Sequence, residues 1–154
     1  MLFSFILIAD MFTLRQLEIE DHDRGFIDCI NELTKPSEIS KEKFINRFNL
    51  IKEKKDYYVV VAVEDITGKI LGSGTIFLEY KFIRGCAIKG HIEDIVVLEE
   101  KRGLGIGKKI VEHLIEYGKN NNCYKIALVC DPKNTNFYIK CGFQEKEREM
   151  VIYT

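Results

Sequence analysis

The chain has little of what marks a metal, membrane or nucleic-acid protein. Its five cysteines, at 29, 86, 123, 130 and 141, contain no Cys-x-x-Cys pair, and its three histidines are scattered at 22, 91 and 113. That spacing argues against a zinc site, and five thiols cannot all pair, which argues against a disulfide framework. A reducing compartment, the cytoplasm, is expected, with Cys123 and Cys130 acting as small hydrophobes around a central strand. Basic and acidic residues balance, 23 against 24 in 154 residues. The concentrated basic excess of a nucleic-acid binder is missing, and Lys52, Lys54 and Lys55 read as a solvated helix end. No apolar run is long enough to cross a bilayer. Met1–Ile8 is apolar apart from Ser4, but it is short and lacks a basic flank. It reads as a strand extension or leader, with Met11 an alternative start. No repeat or Pro/Ser-rich linker interrupts the chain, so one domain is expected over 1–154, with 1–10 a candidate extension.

What is present alternates between strand and helix patterns. Phe12–Leu17 reads as a first strand. Glu20 or Asp21 is placed to cap a helix running to about Leu33, ended by Thr34-Lys35-Pro36 because the residue before proline resists helical geometry. The cluster Asp21-His22-Asp23 is better explained as this helix start than as a metal site. Ser40 is expected to cap a second helix with a stripe of Phe44, Ile45, Phe48 and Ile51. Tyr57–Glu64 and Ile70–Tyr80 form a hairpin through 65–69. Gly90–Val97, a helix over 105–120, Tyr124–Val129 and a short helix over 134–140 follow as a β-α-β-α run. Strands at Phe143–Glu147 and Glu149–Tyr153 are expected to close the chain. Hairpins combined with one βαβ unit predict an α+β domain on a mixed sheet.

The most informative segment is Ile92-Glu93-Asp94-Ile95-Val96-Val97 followed by Arg102-Gly103-Leu104-Gly105-Ile106-Gly107. Glycines just before a helix let the backbone bend tightly and approach a ligand, and they leave the first helical amides pointing at an anion. A phosphate-bearing ligand is expected at 102–107. The spacing fails the Walker loop, because Arg102 stands at its first glycine and Lys109 at its Ser/Thr. It also fails the dinucleotide fingerprint, because Lys108 stands at the third glycine.

The remaining pattern, Arg-x-x-Gly-x-Gly, resembles the acyl-CoA pyrophosphate loop of the GNAT N-acetyltransferases. The downstream strand Cys123–Val129 and the segment Asn134 to Phe143, with its Phe137-Tyr138 and Cys141-Gly142-Phe143, resemble the same superfamily's second signature. Three further blocks are similar to the glucosamine-6-phosphate N-acetyltransferase family: Glu79-Tyr80-Lys81-Phe82-Ile83-Arg84-Gly85-Cys86, Gly90-His91-Ile92-Glu93-Asp94 and Cys123-Tyr124-Lys125-Ile126.

That resemblance, which covers about residues 12–153, implies a fold in which two central parallel strands splay apart, with a thioester in the gap. It implies acetyl-CoA as cosubstrate with no metal, and acetyl transfer to glucosamine 6-phosphate as a step towards UDP-N-acetylglucosamine. Backbone groups of Ile95, Val96 and Val97 would pair with pantetheine. Arg102, Gly103, Leu104, Gly105, Ile106, Gly107 and Lys108 would hold the pyrophosphate, and Asn134 and Phe137 would line the channel. Tyr138 would face the coenzyme sulfur and protonate or stabilise the thiolate. Glu93 and Asp94 would contact the amino sugar, and either could take the amine proton. Successive strand residues face opposite sides of a sheet, so they are not expected to act as a paired dyad. Thr34, Lys81, Phe82, Ile83, Arg84, Tyr124 and Lys125 would bind the sugar phosphate. An intertwined homodimer with sites shared between subunits is implied.

Two positions depart from the pattern. Val129 stands where an acid is usual, and Tyr153 where an arginine is usual; Arg84 stands where histidine is frequent. These departures leave acetyl transfer in place and bear on the acceptor. Alternative readings are a GNAT enzyme acting on another small-molecule or peptide amine, and a non-catalytic acyl-CoA-binding dimerisation module. The cationic residues 81, 84 and 125 favour an anionic acceptor over a polyamine.

Overall fold

A computed structural model describes residues 11–154; the expectation for Met1–Ile8 lies outside the described residues. Five strands form one sheet in the order β1 (Phe12–Gln16), β2 (Tyr57–Glu64), β3 (Ile70–Tyr80), β4 (Ile88–Val97) and β5 (Cys123–Ala127). All neighbours are antiparallel except β4 and β5, which are parallel. Helices α1 (Phe26–Asn31) and α2 (Lys41–Glu53) lie on one face. A one-turn helix α3 (Ile83–Cys86) links β3 to β4, α4 (Ile106–Asn120) crosses over to β5, and α5 (Thr135–Lys140) follows. This is the expected α+β architecture.

Helix α4 forms because Ile106, Ile110, Val111 and Leu114 fall on one face, and all four are at most 2% exposed. They pack on the sheet with Ile76, Ile92 and Val96. Burying each such side chain contributes about 1.5–3 kcal/mol relative to leaving it in water. The approach is close: a Cβ on Gly72 would meet the Val96 carbonyl oxygen at 2.8 Å and Ile110 Cδ1 at 2.9 Å. Across the sheet, Phe26 and Phe44 are buried and in edge contact at 5.8 Å, anchoring α1 and α2.

Three local expectations change. The helix expected from 20 to 33 is a 3-10 turn, Ile19–Arg24, then a break at Gly25 (φ 90°), then α1. The N-cap is Glu18, whose amide donates to Asp21 Oδ2 at 2.8 Å. Asp21 is fully buried, gripped by Arg15 at 2.8 Å through both oxygens and by Arg24 at 3.1 Å. Burial alone would raise its carboxyl, but the Arg15 hydrogen bonds and the Glu18 amide outweigh it and hold the group below its ordinary 3.8. Ser40 caps α2 as expected, accepting from the Lys43 amide at 3.2 Å.

Strand β4 begins two residues earlier than expected, and β5 ends at Ala127 rather than Val129. The two closing strands are not formed. Residues 144–154 carry no regular structure, and Met150, Ile152 and Tyr153 are at least 86% exposed. An alternating pattern supplies side chains for a strand, but a strand needs a backbone partner, and none pairs with this segment among the described residues.

Candidate active site

Strand β4 ends at Val97, a 3-10 turn Glu99–Lys101 follows, and the chain then bends through Gly103 (φ 80°) and Gly105 (φ 82°). Gly105 is the N-cap of α4, in a left-handed conformation that disfavours a side chain, and no side chain caps the helix. The Lys109 amide is the first to bond back, to the Gly105 carbonyl at 3.1 Å. The amides before it are left without helical partners at the positive end of a four-turn dipole, so this terminus suits a pyrophosphate.

Arg102 and Lys108 stand at this terminus as exposed cations. Leu104 is partly exposed, whereas the side chains of Ile106 and Val96 are buried in the core, so only their backbones can serve a ligand. Phe137 borders the loop, because a Cβ on Gly107 would lie 3.4 Å from its ring. Asn134 is exposed at the end of the 3-10 turn Pro132–Asn134 that leads into α5. Tyr138 packs edge-on to Phe137 at 4.9 Å and to Phe143 at 6.1 Å. Burial raises its phenol, with Cys130 and Cys141 adding to the effect, so it keeps its proton as a donor.

The parallel pairing of β4 with β5 runs only from Ile88 to His91. Beyond His91 the β5 side of β4 has no strand partner among the described residues. The Leu98 amide donates to the Leu71 carbonyl at 2.9 Å, towards β3. Backbone alternation therefore turns the Val97 carbonyl to the open edge. There the Arg102 Nε donates to it at 3.0 Å. An extended amide-bearing ligand has an edge to pair with, beside the glycine loop.

The acids lie midway along β4. The register pairs Thr75 with Glu93 and Ser73 with Val96, so Asp94 and Ile95 oppose Gly74 alone in a bulge. Asp94 has φ 55°. Bulges re-aim side chains, and this one corrects the expectation that the two carboxylates point apart. Glu93 lies opposite Thr75, while Asp94 lines, together with Thr75 and Ser73, a cleft of about 800 Å³ under α1 and α2. Ile95 instead projects towards α4, its Cδ1 reaching the space a Gly74 Cβ would fill. Both acids are therefore on the α1/α2 side. Burial and the neighbouring Asp94 push the Glu93 carboxyl up, and His91 draws it partly back. Thr34 lines the same cleft, whose walls are otherwise largely apolar: Leu17, Phe26, Ile30 and Phe48 among others.

The basic residues of the sequence reading gather elsewhere. Lys81 follows β3, with its amide bonded to the Ala87 carbonyl at 2.9 Å. Its side chain donates to Glu79 at 2.6 Å. Phe82 and Ile83 are strongly exposed, and the Arg84 guanidinium lies 5.0 Å from the Tyr124 ring centroid. Lys125 is in register with Lys89. Tyr80 pairs with Ile88, so the backbone of this group starts roughly 17 Å before Glu93 along β4, at ~3.3 Å per residue, although the Lys81 side chain folds back to Glu79. The structure sets Phe137 and Tyr138 beside the glycine loop, and it puts Asp94 and Thr34 in one cleft with Glu93 on the same side of the sheet. Phe82, Ile83, Arg84, Tyr124 and Lys125 do not line that cleft, while Lys81 reaches back to Glu79 beside His91. Several groups here carry no role in the sequence reading: Lys43 and Arg47, which line the cleft with Asp94, Glu79, bonded to His91 Nε2 at 2.7 Å, and Phe77, stacked on the His91 ring. Strand alternation was the available signal, since residues 77, 79, 91 and 93 share one face once the register is known.

Residues 14–143 match the acetyltransferase (GNAT) family. A glucosamine 6-phosphate N-acetyltransferase 1 from Dictyostelium discoideum is 44% identical over 96% of this chain and 94% of its own length. One from Arabidopsis thaliana is 41% identical over 95% and 99%. The crystal structure of glucosamine-6-phosphate N-acetyltransferase from Arabidopsis thaliana superposes with a TM-score of 0.90 at 40% identity, over 92% of this chain and 97% of that one. A glycine loop at an uncapped helix N-terminus, a parted strand pair and likeness over almost the whole chain agree: the chain belongs to the acetyltransferase (GNAT) family, grouped with the glucosamine 6-phosphate N-acetyltransferases.

Proposed function

We propose that this protein transfers the acetyl group of acetyl-CoA to the amine of glucosamine 6-phosphate, giving N-acetylglucosamine 6-phosphate and CoA, on the route to UDP-N-acetylglucosamine. The observation that carries the reading is the open edge of β4, flanked by the uncapped N-terminus of α4 on one side and the Glu93–Asp94 bulge on the other. Arg102, Lys108 and the amides at Gly103 to Gly107 hold the pyrophosphate. Val97 and its neighbours pair with the pantetheine arm once Arg102 releases the Val97 carbonyl. Asn134 and Phe137 line the channel.

In the reaction the amine arrives as an ammonium and gives a proton to the acid pair, directly or through water. Its nitrogen then attacks the thioester carbonyl carbon, the C–N bond forms and the C–S bond breaks. Tyr138 supplies a proton to the departing thiolate and regains one from solvent, the surplus proton on nitrogen leaves to solvent, and the acid pair releases the one it took, so one proton is released per turnover. Holding both reactants in line contributes up to about 7–11 kcal/mol in favourable cases. General acid–base assistance adds roughly 10²–10⁴ in rate.

The sugar phosphate is bound by Thr34 together with Lys81, Phe82, Ile83, Arg84, Tyr124 and Lys125. Phe82 and Ile83 of this segment stand strongly exposed, which supports a homodimer whose sites take residues from both subunits. The exposed Met150, Val151, Ile152 and Tyr153 and the apolar cleft under α1 and α2 support the same reading. The protein acts in the cytoplasm as one domain and needs no metal.

Thiol release from acetyl-CoA with glucosamine 6-phosphate, glucosamine and spermidine tests the activity. Strong preference for the first is expected; equal rates with all three would reduce the protein to an unselective acetyltransferase, and no release with any would leave a coenzyme-binding module. Mixing inactive Glu93→Gln and Lys81→Ala/Arg84→Ala proteins tests the shared site. Recovered activity in the mixture is expected, and a mixture as inactive as its parts would remove the sharing.

A further inference from the structure

The register lines up three rings across the open end of the α1/α2 side of the sheet. Tyr57 is opposite Phe77 and Phe77 is opposite His91. Tyr57 and Phe77 stack at 5.5 Å, and Phe77 and His91 at 4.5 Å with planes only 2° apart. Glu79, two residues along β3, then closes on the imidazole edge: Oε2 is 2.7 Å from His91 Nε2, while Oε1 accepts from Lys81 at 2.6 Å. Lys81, and after it His91, hold the Glu79 carboxyl down at about 2. Glu79 is therefore only an acceptor in the working range, so His91 Nε2 is the donor of their 2.7 Å hydrogen bond. A stacked face and a fixed edge leave the ring little freedom. Two residues along β4 on the same face stands Glu93, opposite Thr75.

We propose that His91, clamped by Phe77 and Glu79, is a positioning residue that keeps the neighbouring Glu93 in its proton-accepting form while the acceptor amine is bound. The proposal rests on the reading that the acid pair takes the amine proton, and it names Glu93 as the member that does so. The need is physical. Burial and Asp94 both favour a neutral Glu93, with Glu149 adding to them, and His91 is the group that opposes the three. The charges around the ring are Glu79 and Lys81 from the β3 side, Lys89 and Glu93 from its own strand, and Lys125 in register with Lys89; its partner on β5 is the uncharged Ala127. Glu79 also ties the ring to Lys81, a residue of the proposed phosphate-binding segment.

The test is the pH profile of kcat at saturating acetyl-CoA and glucosamine 6-phosphate. His91→Phe keeps a ring to stack on Phe77 and removes the proton. Its acid limb is expected to move to higher pH by about one unit, the low end of what a neighbouring group contributes, because the group opposing burial and Asp94 is gone, with CoA affinity within about twofold. His91→Arg restores the limb. Glu79→Gln leaves the ring in place and moves the limb the same way. Wild-type limbs in both His91→Phe and Glu79→Gln would overturn the proposal. Glu93→Gln separates the two levels: it should lower kcat and abolish the limb. A wild-type limb in Glu93→Gln would defeat the acid-pair reading itself. Loss of the limb there, with no shift in His91→Phe, would defeat the role of His91 alone.

Discussion

The two ends of β4 are built differently. At the Val97 end, one chain supplies an open strand edge, a left-handed glycine cap, a four-turn helix and the Phe137–Tyr138 pair on α5. At the Ile88 end, the chain supplies cations and exposed apolar side chains, Phe82 and Ile83, with nothing folded over them. The first end is rigid because α4 is sealed into the core by four buried residues. The second is a turn with Arg84, Gly85 and Cys86 all at positive φ, a strained arrangement for the two residues that carry side chains. The difference teaches where order comes from: the Val97 end is set by the interior of the fold, whereas the Ile88 end is a surface turn whose apolar side chains face outward; on the proposed function, the first serves the donor and the second the acceptor.

The sharpest way to break this contrast is Tyr138→Phe, which keeps the packing against Phe137 and Phe143 and removes the proton. We expect kcat to fall roughly 100-fold or more while CoA affinity by calorimetry stays within a few-fold; unchanged turnover would remove the assigned role. Gly105→Val attacks the same end through the backbone. A β-branched residue at φ 82° is strained by about 1–2 kcal/mol, so CoA binding should weaken roughly tenfold or more, and unaltered affinity would count against the loop. At the other end, Arg84→Ala should raise KM for glucosamine 6-phosphate about tenfold, from loss of one charge-assisted bond worth ~1.5–3 kcal/mol, with KM for acetyl-CoA unchanged. Equal effects on both constants would erase the division between the ends.

A smaller effect separates both ends from the scaffold behind them. Because Asp21 is held below 3.8 when folded, its stabilisation is complete above the unfolded value and is lost as pH falls through the folded one. Urea midpoints should therefore decline below about pH 4, and Asp21→Asn should flatten that decline at the expense of stability at neutral pH. A parallel decline in the variant would assign acid sensitivity elsewhere. Smallest of all, Cys29 is buried with its thiol pushed up to about 12, chiefly by burial. It should resist alkylation in the native state while the exposed Cys86 reacts, as read by mass spectrometry.

Much of the coenzyme half was legible in the chain because its determinants are local. Arg102 to Gly107 dictates a bend, and the 3.6-residue stripe that follows dictates a helix packed on the sheet. The acids were legible as residues but not as geometry. Alternation predicted opposite faces, and the bulge at Asp94 turned both to one side, because two residues of β4 share a single partner on β3. Gly25 misled in the other direction: the apolar spacing continues through it, but its backbone turns left-handed and splits the helix. The closing strands were read from alternation alone, which does not say whether an edge is available to pair with.

By itself, the order of residues determined the α+β class, the glycine turn before α4 and the stripe of α4, since each depends on contacts between near neighbours or on the conformational limits of single residues. Only the tertiary structure decided that β4 and β5 part after His91, that Glu93 and Asp94 share a side, and that Glu79 closes on His91. Each of these depends on strand register, which is set by the packing of distant segments, so no local pattern encodes it.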